Sequence, residues 1–120
     1  MALDPGPTRI HGIIDAAARR YGVAPEALRT IASIESGFNP SAQNPNSSAG
    51  GLFQFTDATA KQYGLATKND PAAAADAAAR LARDNTKYLT NALGRKPTGA
   101  ELYLAHQQGA GGAIKLLGNP

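Results

Sequence analysis

Residues 69–94, "NDPAAAADAAARLARDNTKYLTNALG", decide the fold. Alanine is the strongest helix former, Asp70 followed by Pro71 is a helix start, and Gly94 is a stop, so the stretch predicts one long, closely packed helix. Outward from it, strand-forming runs are missing and Gly or Pro punctuates the chain at short intervals, which predicts an all-α fold of short helices around the alanine-rich one. In "PTRIHGIIDAAARRYG" (7–22), Ile10, Ile13, Ile14 and Ala17 share a face, with Thr8 as the cap and Gly22 as the stop. In "APEALRTIASIESG" (24–37), Pro25 suits the first helical position and Glu26 the positive end of the dipole, and Leu28, Ile31 and Ala32 continue an apolar face to Gly37. "TDATAKQYG" (56–64) predicts a short helix closed by Gly64. "TGAELYLAHQQG" (98–109) opens with Thr98 and Glu101 at capping-box spacing, and "GAIKLL" follows a "GAGG" break as a last helical piece.

With 120 residues the chain makes one domain, with residues 1–7 expected as a flexible tail. There is no cysteine, so neither disulfides nor thiolate metal ligands are available, and stability rests on packing. Twelve Lys and Arg against nine Asp and Glu give a net charge of +3, which suits an anionic polymer, nucleic acid or cell wall, without choosing between them. No apolar run approaches the roughly 20 residues of a membrane span, so no membrane insertion is expected. The start "MALDPGPTRI" has neither the basic n-region nor the apolar run of a secretory signal, which leaves delivery by a phage, special export or an N-terminally trimmed chain.

Glu35 falls in the last turn of the second predicted helix, before a loop (38–51) of Pro, Ser, Asn and Gly that holds no regular element yet lies inside the domain. There a carboxylate faces the negative end of the helix dipole, and apolar neighbours such as Ile34 and Phe38 would desolvate it. Both effects raise its pKa, as a general acid requires. The bland alternative, an exposed helix end, stays open on local physics alone.

"ESGFNP" (35–40) followed by "GGLFQFTDATA" (50–60) resembles the signature of the soluble-type (SLT) lytic transglycosylases, relatives of the lysozyme superfamily. The resemblance runs from about residue 10 to residue 117. It implies a lysozyme-like domain with a saccharide groove, cleavage of peptidoglycan between N-acetylmuramic acid and N-acetylglucosamine, and action in the periplasm or cell wall. Glu35 matches the family's catalytic acid and base. Gly51, Leu52, Phe53 and Gln54 match a block that carries Met in many members where Phe53 stands here. In "LAHQQGAGGA" (104–113), Ala105 and Gly109 are in register with a third block, but His106 stands where Tyr is usual and Gln107 where Asn is usual. Tyr103 lies one turn earlier, and either it or His106 approaches the sugar. Gln54 and Gln107 suit N-acetyl groups and hydroxyls. Phe53 and Phe55 suit sugar faces or, equally, the core under the loop. Ser48 is a further groove candidate, although Asn46, Ser47 and Ser48 also suit loop backbone groups, and Ser36 is a helix-end hydrogen-bonder that helps to position Glu35.

Hydrolytic glycosidases usually pair two carboxylates, and this chain has only three glutamates, Glu26, Glu35 and Glu101. Asp57, Asp70 and Glu101 are the possible partners of Glu35, and none sits in a matching motif. Glu101 reads first as the capping partner of Thr98. The resemblance then implies a one-carboxylate transglycosylase that needs neither water, metal nor cofactor, acts as a monomer on glycan strands, and serves alone or within a phage virion or an envelope-spanning assembly. Three rivals remain. One is a muramidase with Asp57 or Glu101 helping water. Another is an inert wall-binding or assembly protein. The third is a helix-turn-helix over "IIDAAARRYGVAPEALRTIAS" (13–33) with Arg19, Arg20 and Arg29 on phosphates. Its recognition helix is poor in base-reading side chains, so no nucleic-acid partner is expected.

Overall fold

The alanine-rich stretch forms α4, Pro71–Leu93. Asp70 caps it by accepting from the Ala72 and Ala73 N–H groups, and Gly94 closes it at φ 74, as the sequence predicts. The structure, a computed structural model, describes residues 6–118. Around α4 stand α1 (Gly6–Arg20), α2 (Pro25–Ser36), α3 (Asp57–Gln62), α5 (Gly99–Gln108) and α6 (Ala110–Leu116). The predicted capping box of Thr98 and Glu101 opens α5, and Thr56 caps α3. Among the described residues no helix is long and apolar enough to cross a membrane.

Ala74, Ala75, Ala77, Ala78, Ala79 and Ala82 of α4 are buried. With no side chain beyond Cβ they let α1 and α2 approach closely, and Ile10, Ile14, Ala17, Leu28, Ile31 and Ala32 complete the core there. Leu52, Phe53 and Phe55, from the segment between α2 and α3, enter the same cluster, so an irregular segment is anchored in the main core. A smaller cluster of Leu89, Leu102, Ala105 and Ala113 fastens α5 and α6 to the far part of α4.

Two expectations are corrected. Residues 1–5 of the expected tail lie outside the described residues, but α1 already begins at Gly6, ahead of Thr8, which stands in the first turn rather than at the cap. Pro7 permits this, because its missing N–H is one that no first turn uses. The "GAGG" break is confined to Gly109, at φ 80 and ψ 152, and α6 starts at Ala110 with Gly111 and Gly112 helical. Of the three arginines in the rejected helix-turn-helix reading, two are engaged within the chain: Arg29 grips both carboxylate oxygens of Asp15, and Arg20 pairs with Asp76 at 3.0 Å.

Candidate active site

Glu35 stands one residue before the end of α2. Gly37 at φ 60 and Phe38 at φ 64 turn the chain away there, with the Gly37 N–H donating to Ser33 O at 2.9 Å. The Ser36 hydroxyl lies 2.8 Å from Leu52 O and 3.0 Å from Ala32 O, so one side chain ties the helix end to the following loop.

That loop lacks regular structure but is closely cross-bonded. Gly50 and Phe55 exchange backbone hydrogen bonds of 3.1 Å, Gly51 N–H donates to Ala42 O at 2.8 Å, and Asn44 N–H to Ala49 O at 2.9 Å. The hydroxyls of Ser47 and Ser48 accept from the N–H groups of Ala49 and Asp57. Lys68 reaches across to donate to Ser48 O, at 2.6 Å, and to the Asp57 carboxylate. Gly51, at φ 81, lies so close to this strap that a Cβ would sit 2.1 Å from Lys68 O. Phe38 and Gln54 are the two non-glycine residues at positive φ among those described, and both lie in the segment that follows Glu35. Such conformations cost on the order of 1–2 kcal/mol each and persist where surrounding contacts fix them.

Glu35, Gln54, Phe55, His106 and Gln107 open onto one cleft of about 880 Å³. Its other walls come from α3, the 81–88 stretch of α4 and the junction of α5 with α6. The Glu35 side chain is 17% exposed, and this burial holds its pKa above the ordinary carboxyl value. Of the two expected desolvating neighbours, Ile34 is exposed, and Phe38 is partly buried and packs edge-on against His11.

His106 Nε2 lies 4.0 Å from Glu35 Oε2 and 2.8 Å from Phe53 O. A carbonyl only accepts, so Nε2 carries the proton. Burial pushes the His106 pKa down, against the smaller opposing pull of the Phe53 carbonyl, so the ring is neutral near pH 7. Glu35 therefore has a polar neighbour that does not stabilise its charged form. The Tyr103 hydroxyl has its pKa raised by burial and, to a lesser degree, by the Glu35 charge, which puts it within the field of that carboxylate.

Five of the eight site residues expected from the sequence meet in the cleft. Phe53 is fully buried and acts as the core anchor of the loop, while Phe55 forms part of the cleft wall. Gln54 lines the cleft with Nε2 donating to Ala42 O and Gly51 O, which leaves Oε1 as an acceptor. Ser48 serves the loop backbone outside the cleft lining, and Tyr103 packs at the core edge, so of Tyr103 and His106 it is His106 that lines the cleft.

The carboxylates considered as partners of Glu35 are engaged elsewhere. Asp57 pairs with Lys68, Asp70 caps α4, and Glu101 combines its capping role with a two-pronged pair to Arg95. The second carboxylate of the cleft lining is Asp84, whose Oδ2 accepts from Tyr63 OH at 2.7 Å. Asp84, Asn85 and Tyr88 are cleft residues that sequence reasoning misses. The signal was available: with Leu81 they form an i, i+3, i+4, i+7 stripe whose polar members interrupt an alanine-rich helix.

An alanine-rich axis ringed by helices, with a buried carboxyl at one helix end opening into a broad cleft, defines an all-α domain of the lysozyme-like class. The chain belongs to the transglycosylase SLT domain family, which matches residues 12–119 and so spans the helices from α2 to α6 and most of α1. The work of that family is transglycosylase-type cleavage of peptidoglycan, which makes the cell wall the site of action.

Proposed function

We propose that the chain cleaves the β-1,4 bond between N-acetylmuramic acid and N-acetylglucosamine with Glu35 as sole acid and base, releasing a 1,6-anhydromuramyl end. The observation that carries this reading is the pairing of a burial-raised carboxyl with a neutral imidazole 4.0 Å away. A protonated Glu35 gives its proton to the glycosidic oxygen as the bond to the anomeric carbon breaks, with the muramyl acetamido oxygen assisting at that carbon. The resulting carboxylate takes the proton of the muramyl 6-hydroxyl, whose oxygen closes the anhydro ring. Glu35 ends protonated, as it began, and no water is consumed. An acid that must also act as base is served by a site in which neither form is locked by a salt bridge.

Gln54 Oε1 and the Gln107 amide supply hydrogen bonds for the sugar. Hydrolysis is favoured by one observation, the presence of Asp84 in the same cleft, although Tyr63 already occupies one of its oxygens. Mass spectrometry of digested peptidoglycan separates the readings. Anhydromuramyl ends are expected; free reducing ends would assign hydrolysis, and an undigested wall would leave the groove a binding surface.

A further inference from the structure

We infer that Asn85 is a recognition residue for a secondary amide of the substrate, at a subsite on α4 separate from the acid on α2. The inference rests on the glycan-cleaving reading above. Asn85 is only 6% exposed and contributes to the cleft wall, yet its side chain makes no hydrogen bond with any described residue, and its Nδ2 is buried without a partner. An unpaired buried amide costs roughly 1–3 kcal/mol, and the other buried residues of α4 are alanines and a leucine. The cost is relieved when something entering the cleft supplies the missing partner.

The chemistry of that partner follows from the carboxamide. One end accepts and the other donates, and a half-turn about χ2 exchanges them, so the side chain can offer either to the cleft. A secondary amide carries the complement of both, a carbonyl for Nδ2 and an N–H for Oδ1. The neighbours fit an uncharged polar group on a sugar or peptide. Tyr88, one turn on, is half exposed and offers a ring face, and Asp84 is held by Tyr63 as a further acceptor. Peptidoglycan presents secondary amides from two sources, the N-acetyl groups of its sugars and the backbone of its stem peptides.

The test uses the full chain carrying Glu35→Gln, so that ligands survive, and calorimetric binding of three probes. These are a peptide-free β-1,4 N-acetylglucosamine hexamer, its N-deacetylated counterpart, and a peptide-bearing peptidoglycan fragment. Asn85→Leu, similar in size and free of polar atoms, is expected to hold or raise Tm while weakening binding about tenfold, the loss of a ligand hydrogen bond. Asn85→Ala provides the same comparison should the leucine disturb packing. A loss on the acetylated hexamer but not on its deacetylated form assigns the N-acetyl group, and a loss confined to the peptide-bearing fragment assigns a stem-peptide amide. Unchanged affinity for all probes overturns the inference alone. Failure of the Glu35→Gln chain to bind any probe overturns it together with the functional reading on which it rests.

Discussion

At the scale of single residues, the proposed chemistry depends on what surrounds Glu35 and His106 as much as on what they are. Glu35→Gln removes the proton with little change in volume, so wall cleavage should fall by roughly 10²–10⁴-fold while glycan binding persists, as measured by turbidity clearance and pull-down. The same variant has a stability signature. A carboxyl whose folded pKa lies above its unfolded one contributes stability below the unfolded value and loses it as pH rises through the folded one. Glu35→Gln should therefore raise Tm at pH 7, with the gain vanishing near pH 4, and calorimetry at the two pH values checks it. His106 is neutral and pinned by Phe53, so the basic limb of the cleavage profile belongs to Glu35. That limb should survive His106→Gln, which keeps a donor for the Phe53 carbonyl; its disappearance would make the imidazole a titrating participant.

Among the elements, the segment between α2 and α3 carries most of the positioning, and its fixity depends on Gly51. At φ 81 and with Lys68 O where a Cβ would go, Gly51→Ala should cost well beyond the ~1 kcal/mol of backbone strain and abolish cleavage. Gly64→Ala, at φ 68 with open space around it, should show the backbone strain alone, and denaturant unfolding of the two variants side by side measures the difference. The helices were largely legible in the sequence because their signals are local: Asp70 with Pro71, Gly94, and Thr98 with Glu101 each act on backbone a few residues away. The proposed acid, Glu35, was legible as a carboxyl in a last turn just ahead of a glycine. What was hidden required neighbours distant in the chain. Phe53 and Phe55 differ by two positions and both enter the core, yet Phe55 alone also borders the cleft, with Gln54 at positive φ between them. Asp84 and Asn85 sit on α4, but it takes α3 and the α5–α6 junction to place a cleft over them.

For the whole molecule, the arrangement of charge predicts its acid stability. Pairing with Arg95 and hydrogen bonding to Thr98 hold the Glu101 carboxyl down at about 2, and Arg29 holds Asp15 below its ordinary value. Depressed carboxyls contribute stability that is complete above their unfolded values and lost as pH falls through the folded ones. Their contribution to Tm should be constant down to about pH 5 and be lost between about 4.5 and 2. Glu101→Gln and Asp15→Asn should lower Tm at pH 7 and converge with the parent chain at pH 2, a pattern that scanning calorimetry across this range reads directly. Neither pair lines the cleft, so acid stability and activity should be tunable apart. The alanine-lined axis sets a different kind of limit. Lengthening a side chain there forces helices apart, and shortening one to glycine costs about 1 kcal/mol of helix propensity. Variation along the inner face of α4 is thus closed in both directions for reasons of shape alone. An unchanging alanine on that face would report the spacing of helices, and a polar residue that stays beside it would be the sign of chemistry.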